Sequence, residues 1–583
     1  MIKSIKKLVV IFIIAMLIPV ICVSAEGDYN ILIDENNSFL LTDSANNPVV
    51  DDSIAKYEND TLILGEGNYF NQIKLKHDIN ITSNNKDVYI KELTTKEGNI
   101  FLPVSINVNE LKVLENDSYK FKVIVGGNLL VNNSKLFSME GYNIKGFLKV
   151  LDSAMKAKEY RASLADENGY GITIKNSEIE VSGVVSPYNS SSNTGLYIAS
   201  SKVKANSLYS YGSAYINDSE VSVQRLTFQG KSDLNLLIKN TLLTTTKFDC
   251  VSNAILNIED SSIYSESIYH NSSFNDMSKA GLRIYNSKVN TTSNILYTKE
   301  LLIENSDVVT AYFTYTSLGN IAEHHELFKN SQIRTIDETV TNKFMDMIIE
   351  NSNVDFCNKV EVTSLSVDNS IVKVYNKYSN IALFVKDNLR IKQSNIIVDS
   401  SSMNLIAVIV KNNVILDDNV LPIDNNKVQL KVIEMSKEQM VQLSPVQAQS
   451  LLDGDVVKIF TYQDNSYSNY VQLATKVKIV FKVRNGKWLD GTDDDIVLEH
   501  LYGESIEIEN LPETLKKLLD SKMGTWSKDL RKLDLTKDID IEFKYDIVNP
   551  ETHILFIVQI IFLLILFISI FIVNKRSRIK KFR

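Results

Sequence analysis

The sequence predicts a mainly β protein: a right-handed parallel β-helix solenoid, followed by a small C-terminal β-rich module and a single C-terminal transmembrane helix. Three observations predict this fold class. The chain of 583 residues contains only 8 Pro and 21 Gly, and its plentiful Asn, Ser, Ile, Val and Tyr residues favour strands over helices. A short phrase of apolar and polar residues recurs along the middle of the chain, as in solenoid proteins. A long apolar run with a basic tail closes the sequence.

The first 25 residues have the three parts of a secretory signal peptide. Lysines precede an apolar run, Leu8 to Val20, and Val23-Ser24-Ala25 supplies the small residues that a signal peptidase requires. We therefore expect residues 1–25 to be removed and the rest of the chain to be exported. Residues 26–60 are expected to form an N-terminal cap, because the ends of repeat arrays are usually atypical.

One phrase organises residues 61–425. In ITIKNSEIEV, Ile172 to Val181, two apolar residues precede a polar pair and two more follow it. The pattern apolar-x-polar-Ser-x-apolar, with Thr or Asn sometimes replacing Ser, occurs 13 times, and seven of the polar pairs read Asn-Ser. The second polar residues are Ser134, Ser177, Ser201, Ser219, Thr241, Ser261, Ser287, Ser306, Ser331, Ser352, Ser370, Ser394 and Asn419.

This phrase predicts a strand, a polar corner and a second strand. Side chains alternate between the faces of a strand, so inward positions lie an even number of residues apart. Ile174 and Ile179 are five apart, so both face one core only if the chain bends at Asn176-Ser177. A unit of about 22 residues cannot bury its own apolar face, so successive units are expected to stack in parallel. Stacked Asn side chains should then hydrogen-bond from coil to coil.

Three stretches depart from the phrase. Thr61 to Ile90 has strands without the polar corner and is expected to form the first, degenerate coils. Ile144 to Gly169 has apolar residues three and four positions apart, which predicts a helical insertion between two coils. Residues 426–475 are interpreted as a connecting segment with two short helices between Ser436 and Gly454.

Residues 476–546 are predicted to form the small β-rich module, because alternating strands are separated by Asn-Gly and Asp-Gly turns. This region resembles the repeat modules of Firmicute surface proteins, which read Phe-Lys-Val-x-Asn-Gly-x-Trp-x-Asp-Gly-Thr, then Gly-x-Trp and alternating aromatic residues. The matching residues are Phe481, Lys482, Val483, Asn485, Gly486, Trp488, Asp490, Gly491, Thr492, Gly524, Trp526, Phe543 and Tyr545. The resemblance implies a spacer or adhesion module on a Gram-positive cell, without chemistry of its own.

Residues 547–583 are predicted to anchor the chain in a membrane. Ile554 to Val573 is an uncharged apolar run of 20 residues, which as a helix spans roughly 30 Å, the thickness of a hydrocarbon core. The basic tail that follows should stay cytoplasmic, which places the bulk of the protein on the extracellular side of the membrane or in the cell wall.

The residues in front of the apolar run resemble a sortase sorting signal. Asn549, Pro550 and Thr552 match the Asn-Pro-x-Thr variant of that signal, while His553 replaces the usual glycine. The resemblance implies cleavage after Thr552 and attachment to cell-wall peptidoglycan. A permanent membrane anchor is the alternative.

Charge and cysteine content narrow the function classes. The formal net charge is −9, and the basic residues are scattered, so nothing indicates a nucleic-acid groove. The mature chain contains two cysteines, Cys250 and Cys357, which lie too many coils apart to form a disulfide. We therefore expect two free, buried thiols and a fold held together by its core.

Tyrosines give the best functional indication, because many of them fall in six consecutive predicted coils. Rings along a solenoid can stack on sugar rings. The candidate glycan-binding residues are Tyr209, Tyr211, Tyr285, Tyr297, Tyr312 and Tyr315. The competing interpretation is that strand tyrosines only pack at coil edges. The sequence predicts adhesion to, or binding of, a polysaccharide or surface glycan without catalysis.

A polysaccharide lyase or hydrolase acting on an acidic glycan is the main alternative, and a passive wall component is a further one. A lyase needs clustered carboxylates, commonly around Ca²⁺, and a basic residue. Glu350 and Asp368 occupy equivalent places in successive units and are the candidate metal ligands. The same position holds other residue types elsewhere, so no acidic stripe is predicted and no other cofactor is expected.

Overall fold

The computed structural model describes residues 28–579, except for residues 115, 117, 138–139, 188–193, 231–233, 272–279, 317–324, 377–380, 401–405, 411–413, 417–427, 437–455, 465–470, 475, 502–505, 507, 520, 534, 536 and 547–549. The chain is mainly β, and most of it forms a parallel β-solenoid of about 14 turns. The predicted signal peptide, most of the segment predicted to form two short helices and Asn549 lie outside the described residues.

A typical turn of the solenoid has three short strand segments, and we call the surfaces that they build the first, second and third faces. The first-face strand ends at the polar corner, and the second and third faces follow it, either as one bent strand or as two. First-face strands pair in parallel with their equivalents in neighbouring turns. These strands are β4 (Thr61–Leu64), β6 (Ile79–Thr82), β10 (Ile106–Asn109), β13 (Leu129–Asn132), β16 (Leu148–Leu151), β19 (Tyr170–Lys175), β21 (Gly195–Ala199), β23 (Ala214–Asn217), β25 (Leu236–Lys239), β27 (Ile255–Glu259), β29 (Gly281–Tyr285), β32 (Glu300–Glu304), β35 (His325–Lys329), β38 (Asp346–Glu350) and β41 (Ser364–Asp368).

The second and third faces are built by strands that are also parallel from turn to turn. They are β5 (Tyr69–Leu75), β7 (Asp87–Thr94), β11 (Lys112–Leu114), β12 (Lys122–Val125), β14 (Lys135–Phe137), β15 (Gly141–Ile144), β17 (Ala154–Ala157), β18 (Tyr160–Ala162), β20 (Glu178–Pro187), β22 (Lys202–Ser210), β24 (Glu220–Gly230), β26 (Leu242–Ser252), β28 (Ser262–His270), β30 (Lys288–Thr291), β31 (Ile295–Tyr297), β33 (Asp307–Thr310), β34 (Phe313–Tyr315), β36 (Gln332–Thr335), β37 (Asn342–Lys343), β39 (Asn353–Phe356), β40 (Val360–Val362), β42 (Ile371–Asn376) and β43 (Ile381–Val385).

The core is a set of apolar rows that run along the solenoid. Ile258, Ile284, Ile303 and Phe328 are register partners on successive first-face strands, and each is 0% exposed. The residue after Ile303, Glu304, is only partly buried. The alternation predicted from the repeat is therefore confirmed, because each inward side chain packs on the same position of its neighbouring turns.

The polar corner is a left-handed backbone position followed by a buried hydroxyl. Asn286 has φ 48°, a conformation that Asn and Asp tolerate better than other non-glycine residues. The hydroxyl of Ser287 donates to the carbonyl of Tyr285 at 2.6 Å and accepts the backbone N–H of Ser261 in the preceding turn at 3.0 Å. Asn286 also donates to the carboxylate of Asp260 at 2.7 Å, so the predicted coil-to-coil bonding of corner amides is confirmed there.

The same hydroxyl arrangement repeats along the solenoid, and we call it the corner hydroxyl ladder. In each case the backbone N–H of one corner residue donates to the hydroxyl of the next, at 3.0–3.1 Å. Ser recurs at the corner because its hydroxyl satisfies a buried backbone donor. The ladder members in these bonds are Ser134, Ser153, Ser177, Ser201, Ser219, Thr241, Ser261, Ser287, Ser306, Ser331, Ser352 and Ser370.

The predicted helical insertion at Ile144 to Gly169 is wrong. These residues begin at the end of β15, form β16, β17 and β18 and reach the loop before β19, so they build an ordinary turn of the solenoid. Asp152, with φ 48°, and Ser153 form its corner. The Leu, Ala, Met and Lys residues of this stretch have high helix propensity, but pairing with the turns on both sides overrides that preference.

The N-terminal residues are already part of the stack. The strands outside the repeated faces are β1 (Asp28–Ile33), β2 (Phe39–Thr42), β3 (Ala55–Glu58), β8 (Lys96–Glu97) and β9 (Ile100–Phe101). Strand β1 pairs in parallel with β5 and antiparallel with β2, while β3 pairs antiparallel with β4. The segment interpreted as a cap thus contributes a strand to the ladder and covers it with antiparallel partners.

Further strands follow β43 in the sequence. They are β44 (Leu389–Lys392), β45 (Asn395–Ser400), β46 (Ile406–Val410), β47 (Val414–Leu416), β48 (Val428–Ser436), β49 (Val456–Asp464) and β50 (Val471–Ala474). Strand β43 pairs in parallel with β46, and β46 pairs antiparallel with β49, which in turn pairs antiparallel with β48. The change of direction ends the parallel stacking of this sheet.

The C-terminal module contains a four-stranded sheet in the order β52-β51-β54-β53. Its elements are β51 (Lys476–Arg484), β52 (Ile496–Leu501), a 3-10 turn (Ile508–Asn510), α1 (Glu513–Leu519), β53 (Gly524–Trp526), a second 3-10 turn (Leu530–Lys532) and β54 (Ile539–Tyr545). The first and last strands are parallel at the centre of the sheet. Trp488 is 2% exposed and donates its indole N–H to the carbonyl of Asp494 at 2.8 Å. Several residues of the sequence pattern therefore build the core and turns of this module.

The last element is α2 (Pro550–Ile579). Within it, Ile557–Lys575 is long enough and apolar enough to cross a membrane, and none of this stretch is buried against other described residues. The helix is the candidate membrane span that the sequence predicts.

Both mature cysteines are free, as predicted. Cys250 is buried, and burial raises the pKa of its thiol far above the usual range. The expectation that both are buried is wrong for Cys357, which is only partly buried. Cys357 directly follows β39 and is the residue after Phe356, which is 1% exposed and takes the inward position.

Candidate carbohydrate-binding groove

The six predicted glycan-binding tyrosines do not form one row. Tyr209 and Tyr211 lie at the end of β22 with ring centroids 6.5 Å apart and planes at 11°. Tyr285 lies on the first face, directly before the corner at Asn286. Tyr312 is partly buried between β33 and β34. These side chains are too scattered to form a single binding surface.

The other two tyrosines belong to a buried polar cluster. Tyr297 is 0% exposed and donates its hydroxyl to Glu326 at 2.8 Å, so its ring is not accessible from the surface. Tyr315 is partly buried at 6.5 Å from the Tyr297 ring. Glu326 is 1% exposed and occupies the inward position that Leu301 holds one turn earlier. Burial raises the pKa of Glu326 to about 7, although Tyr297 and the N–H of Met345 both donate to it.

A second set of tyrosines forms a strip on the first face. Tyr197 and Tyr215 are register partners with ring centroids 5.1 Å apart and planes at 12°. Tyr170 meets Tyr197 edge-on at 5.3 Å. The faces of Tyr197 and Tyr215 that meet are covered by each other, so this strip is poorly suited to stacking on sugar rings.

The structure instead points to a groove at the bend between the second and third faces. It is an open surface groove with a volume of about 460 Å³. It crosses β26, β28 and the segment around β30, so three successive turns supply its walls. Its lining residues are Thr244, Thr245, Thr246, Tyr264, Ser265, Glu266, Asn290, Thr292 and Ser293.

Outward-facing side chains on neighbouring strands form one wall of this groove. Thr244, Tyr264 and Asn290 are register partners on neighbouring strands, so their side chains stand in one row. Tyr264 is 40% exposed, and its ring makes no contact with another aromatic ring in the described part of the chain. An uncovered ring beside hydroxyl and amide groups is the combination that recognises a sugar, because its apolar face stacks and its hydroxyls hydrogen-bond.

The inner wall is rigid because its hydroxyls are already bonded. Thr245 is 5% exposed and donates to the carbonyl of Lys247 at 3.1 Å. Ser265 is 6% exposed and donates to the carbonyl of Ser267 at 2.7 Å. These bonds hold the bend in place, so the groove is formed before any ligand arrives and less entropy is lost on binding.

The charge of the groove comes from Glu266, which is exposed at the bend. Within the described part of the chain, no lysine or arginine lines the groove, and none pairs with the Glu266 carboxylate. The backbone carbonyl of Glu266 accepts the N–H of Ser293 at 2.6 Å, which fixes the backbone at the bend.

This groove is not among the sites that the sequence predicts, although part of the signal for it is present in the sequence. Alternation after the corner places Ile263 inward and Tyr264 outward, and Ile263 is indeed 0% exposed. The groove also depends on the bend that follows Ser265, and the repeat phrase ends before that position.

The two candidate metal ligands are adjacent on neighbouring strands. Glu350 and Asp368 are register partners on β38 and β41. In the described part of the chain, no group of three or more His, Cys, Asp or Glu side chains is placed to hold a metal ion.

The residues of the candidate sorting signal lie at the start of the C-terminal helix. Pro550 is the first residue of α2, where proline is favoured because its missing N–H has no partner in a helix anyway. Thr552 and His553 lie in the first turn of the same helix.

Comparison of the chain with protein-family models, with curated proteins and with solved structures finds no match in any of the three.

Proposed function

We propose that the protein is a non-catalytic adhesion or carbohydrate-binding protein of the cell surface, and that it binds glycan through the groove around Tyr264. The observation that carries this proposal is the partly exposed Tyr264 ring in an open surface groove of about 460 Å³, lined by hydroxyl, amide and carboxylate groups. Stacking on the ring supplies affinity, and the polar groups around it supply orientation.

The side chains available for hydrogen bonding support this role. Thr244, Thr246, Asn290 and Thr292 line the groove, and the three threonines are exposed. Hydroxyls both donate and accept, and an amide offers two donors and an acceptor. A sugar ring needs this mixture, because each of its hydroxyls is also both donor and acceptor.

The same lining favours binding over glycan cleavage. Most glycoside hydrolases use two carboxyl groups that flank the scissile bond, whereas the groove lining contains the single carboxylate of Glu266. A lyase acting on an acidic glycan requires a basic residue beside the sugar, and the described lining residues include none.

Surface display is the second part of the proposal. The apolar stretch Ile557–Lys575 has the length and composition of a membrane span, and the N-terminal sequence has the pattern of a signal peptide. Together they support a single-pass protein with its solenoid outside the cell and its basic tail inside. The module at residues 476–546 then serves as a spacer.

We further propose that part of the protein is transferred to the cell wall by a sortase acting at Thr552. The test is to boil cell walls in detergent and then digest them with muramidase. Wall-linked protein resists detergent, is released by muramidase and ends at Thr552. Complete detergent extraction of protein that retains its basic tail would leave α2 as a permanent anchor.

Glycan binding is tested with a panel of polysaccharides. Full-length protein in detergent is measured for retention on each polysaccharide and for release of reducing sugar from it. The proposal predicts retention on at least one member without release of reducing sugar. Release would show an enzyme, and retention on none would favour a passive wall component.

A further inference from the structure

The charge of the groove indicates which class of glycan it takes. Among the described residues that line the groove, Glu266 alone carries a charge. We propose that the groove prefers glycans with a free, protonated amino group, such as unacetylated hexosamines, over neutral glycans, and that it excludes acidic glycans. This inference rests on the proposed glycan-binding function.

The position of Glu266 relative to Tyr264 supports this preference. The two residues are two positions apart on β28 and both line the groove. A sugar that stacks on the Tyr264 ring therefore lies within reach of the Glu266 carboxylate. An ammonium group there gains a charge-assisted hydrogen bond from the carboxylate and an attraction to the face of the ring.

The nearest basic side chains on the same strands do not cancel this charge. Lys247 belongs to the third face, where its ammonium group lies 3.6 Å from Asp249 and 5.6 Å from the centre of the Tyr269 ring. Lys288 is exposed on β30, in register with Ser262 and outside the lining. The acidic character of the groove is therefore retained, and a carboxylate or sulfate on a glycan would be repelled.

An acetylated or neutral sugar would leave the Glu266 carboxylate of the groove without a charged partner. The described residues give the Glu266 carboxylate no cationic partner, and a neutral sugar offers it hydroxyl donors only. Hydrogen bonds in which one group is charged are strengthened further when the partner carries the opposite charge. An amino group is the ligand group that satisfies this carboxylate most fully.

The experiment uses full-length protein in detergent at pH 6 and measures its affinity for four tetrasaccharides of matched length. These are a glucosamine oligomer, its N-acetylated form, a glucose oligomer and a galacturonate oligomer. The variants are Glu266→Gln, which removes the charge and keeps the shape, and Tyr264→Ala, which removes the ring. Glu178→Gln is the matched control, because Glu178 is an exposed glutamate on the second face outside the groove.

We expect the glucosamine oligomer to bind about 5-fold more tightly than its N-acetylated form, the difference that one exposed charge pair supplies. Glu266→Gln should remove this preference without weakening the N-acetylated ligand, and added salt should reduce it. Glu178→Gln should change nothing, and Tyr264→Ala should weaken all ligands that bind.

Three results would overturn the inference. The first is equal binding of the amino and N-acetylated oligomers, and the second is a preference that persists in Glu266→Gln. The third is tightest binding of the galacturonate oligomer. All three leave glycan binding itself intact, whereas failure of all four oligomers to bind would remove the proposed function as well.

Discussion

Replacing Ser287 by alanine tests whether the corner hydroxyl ladder stabilises the solenoid. Ser287 is 5% exposed, and its hydroxyl accepts the N–H of Ser261 at 3.0 Å and donates to the carbonyl of Tyr285 at 2.6 Å. That carbonyl also accepts the N–H of Asp260 at 3.1 Å, so it keeps a partner in the variant. In the alanine variant, the buried N–H of Ser261 loses its hydroxyl acceptor.

The expected destabilisation follows from that one lost acceptor. An unpaired buried donor costs about 1–3 kcal/mol, so Ser287→Ala should lower the free energy of unfolding by about 2 kcal/mol. Ser287→Thr keeps a hydroxyl at the corner, as Thr241 does in its own turn with a bond to the carbonyl of Lys239 at 2.7 Å, and should lose less stability than Ser287→Ala. The exposed Ser222, with no comparable bond, supplies the control Ser222→Ala, which should change stability by less than about 0.5 kcal/mol.

Urea unfolding and native-state hydrogen exchange distinguish a loss of global stability from a local opening at the corner. Urea reports the free energy of unfolding, and exchange of a peptide containing Ser261 reports local opening. Solenoids can open locally, so the exchange measurement distinguishes loss of one turn from loss of the whole array. Equal effects of Ser287→Ala and Ser222→Ala in both assays would show that the ladder contributes nothing to stability.

Three further predictions follow from the core. Ile303→Asp should destabilise the solenoid by about 4 kcal/mol or more, because it buries an unpaired charge. The control Glu304→Gln should change stability by less than about 0.5 kcal/mol. Equal shifts of the melting temperature in the two variants would contradict the assignment of inward and outward faces. Burial raises the pKa of Glu326 from 4.5 to about 7, so its contribution to stability is full at low pH and is lost as the pH rises through 7. Between pH 5 and pH 8 this loss should be about 2–3 kcal/mol in urea unfolding and absent in Glu326→Gln; an identical pH dependence in both proteins would contradict it. Maleimide should label Cys357 faster than the buried Cys250 in folded protein, and denatured, unreduced protein should take up two adducts; no uptake would reveal a disulfide.

The repeat could be predicted from the sequence because each of its features is local. The spacing of Ile174 and Ile179 across Asn176-Ser177 requires a bend, and Asn176 indeed has φ 51°. The hydroxyl ladder could not be predicted in the same way, since the partner of Ser177 is Ser201 in the next turn, 24 residues away. Only the stacking register shows which backbone N–H each hydroxyl accepts.

The turn at Ile144 to Gly169 and the groove show two further limits of the sequence. In the first, helix propensity and spacing suggested a helix, whereas the Asp152-Ser153 corner and the neighbouring turns determine a solenoid turn. For the groove, the sequence shows the aromatic residue Tyr264 but not which side chains surround it. Thr244, Tyr264 and Asn290 are far apart in the sequence and become neighbours only through the strand register.

Affinity for glycan with and without the Tyr264 ring tests the central proposal most directly. The oligosaccharide that binds best is titrated into wild-type protein, Tyr264→Ala and Tyr264→Trp, with Tyr375→Ala as the control, since Tyr375 is 42% exposed on β42, outside the groove. The proposal predicts that Tyr264→Ala weakens binding about tenfold or more, while Tyr264→Trp and Tyr375→Ala leave it within about twofold of wild type. Unchanged affinity in Tyr264→Ala would show that the groove is not the binding site.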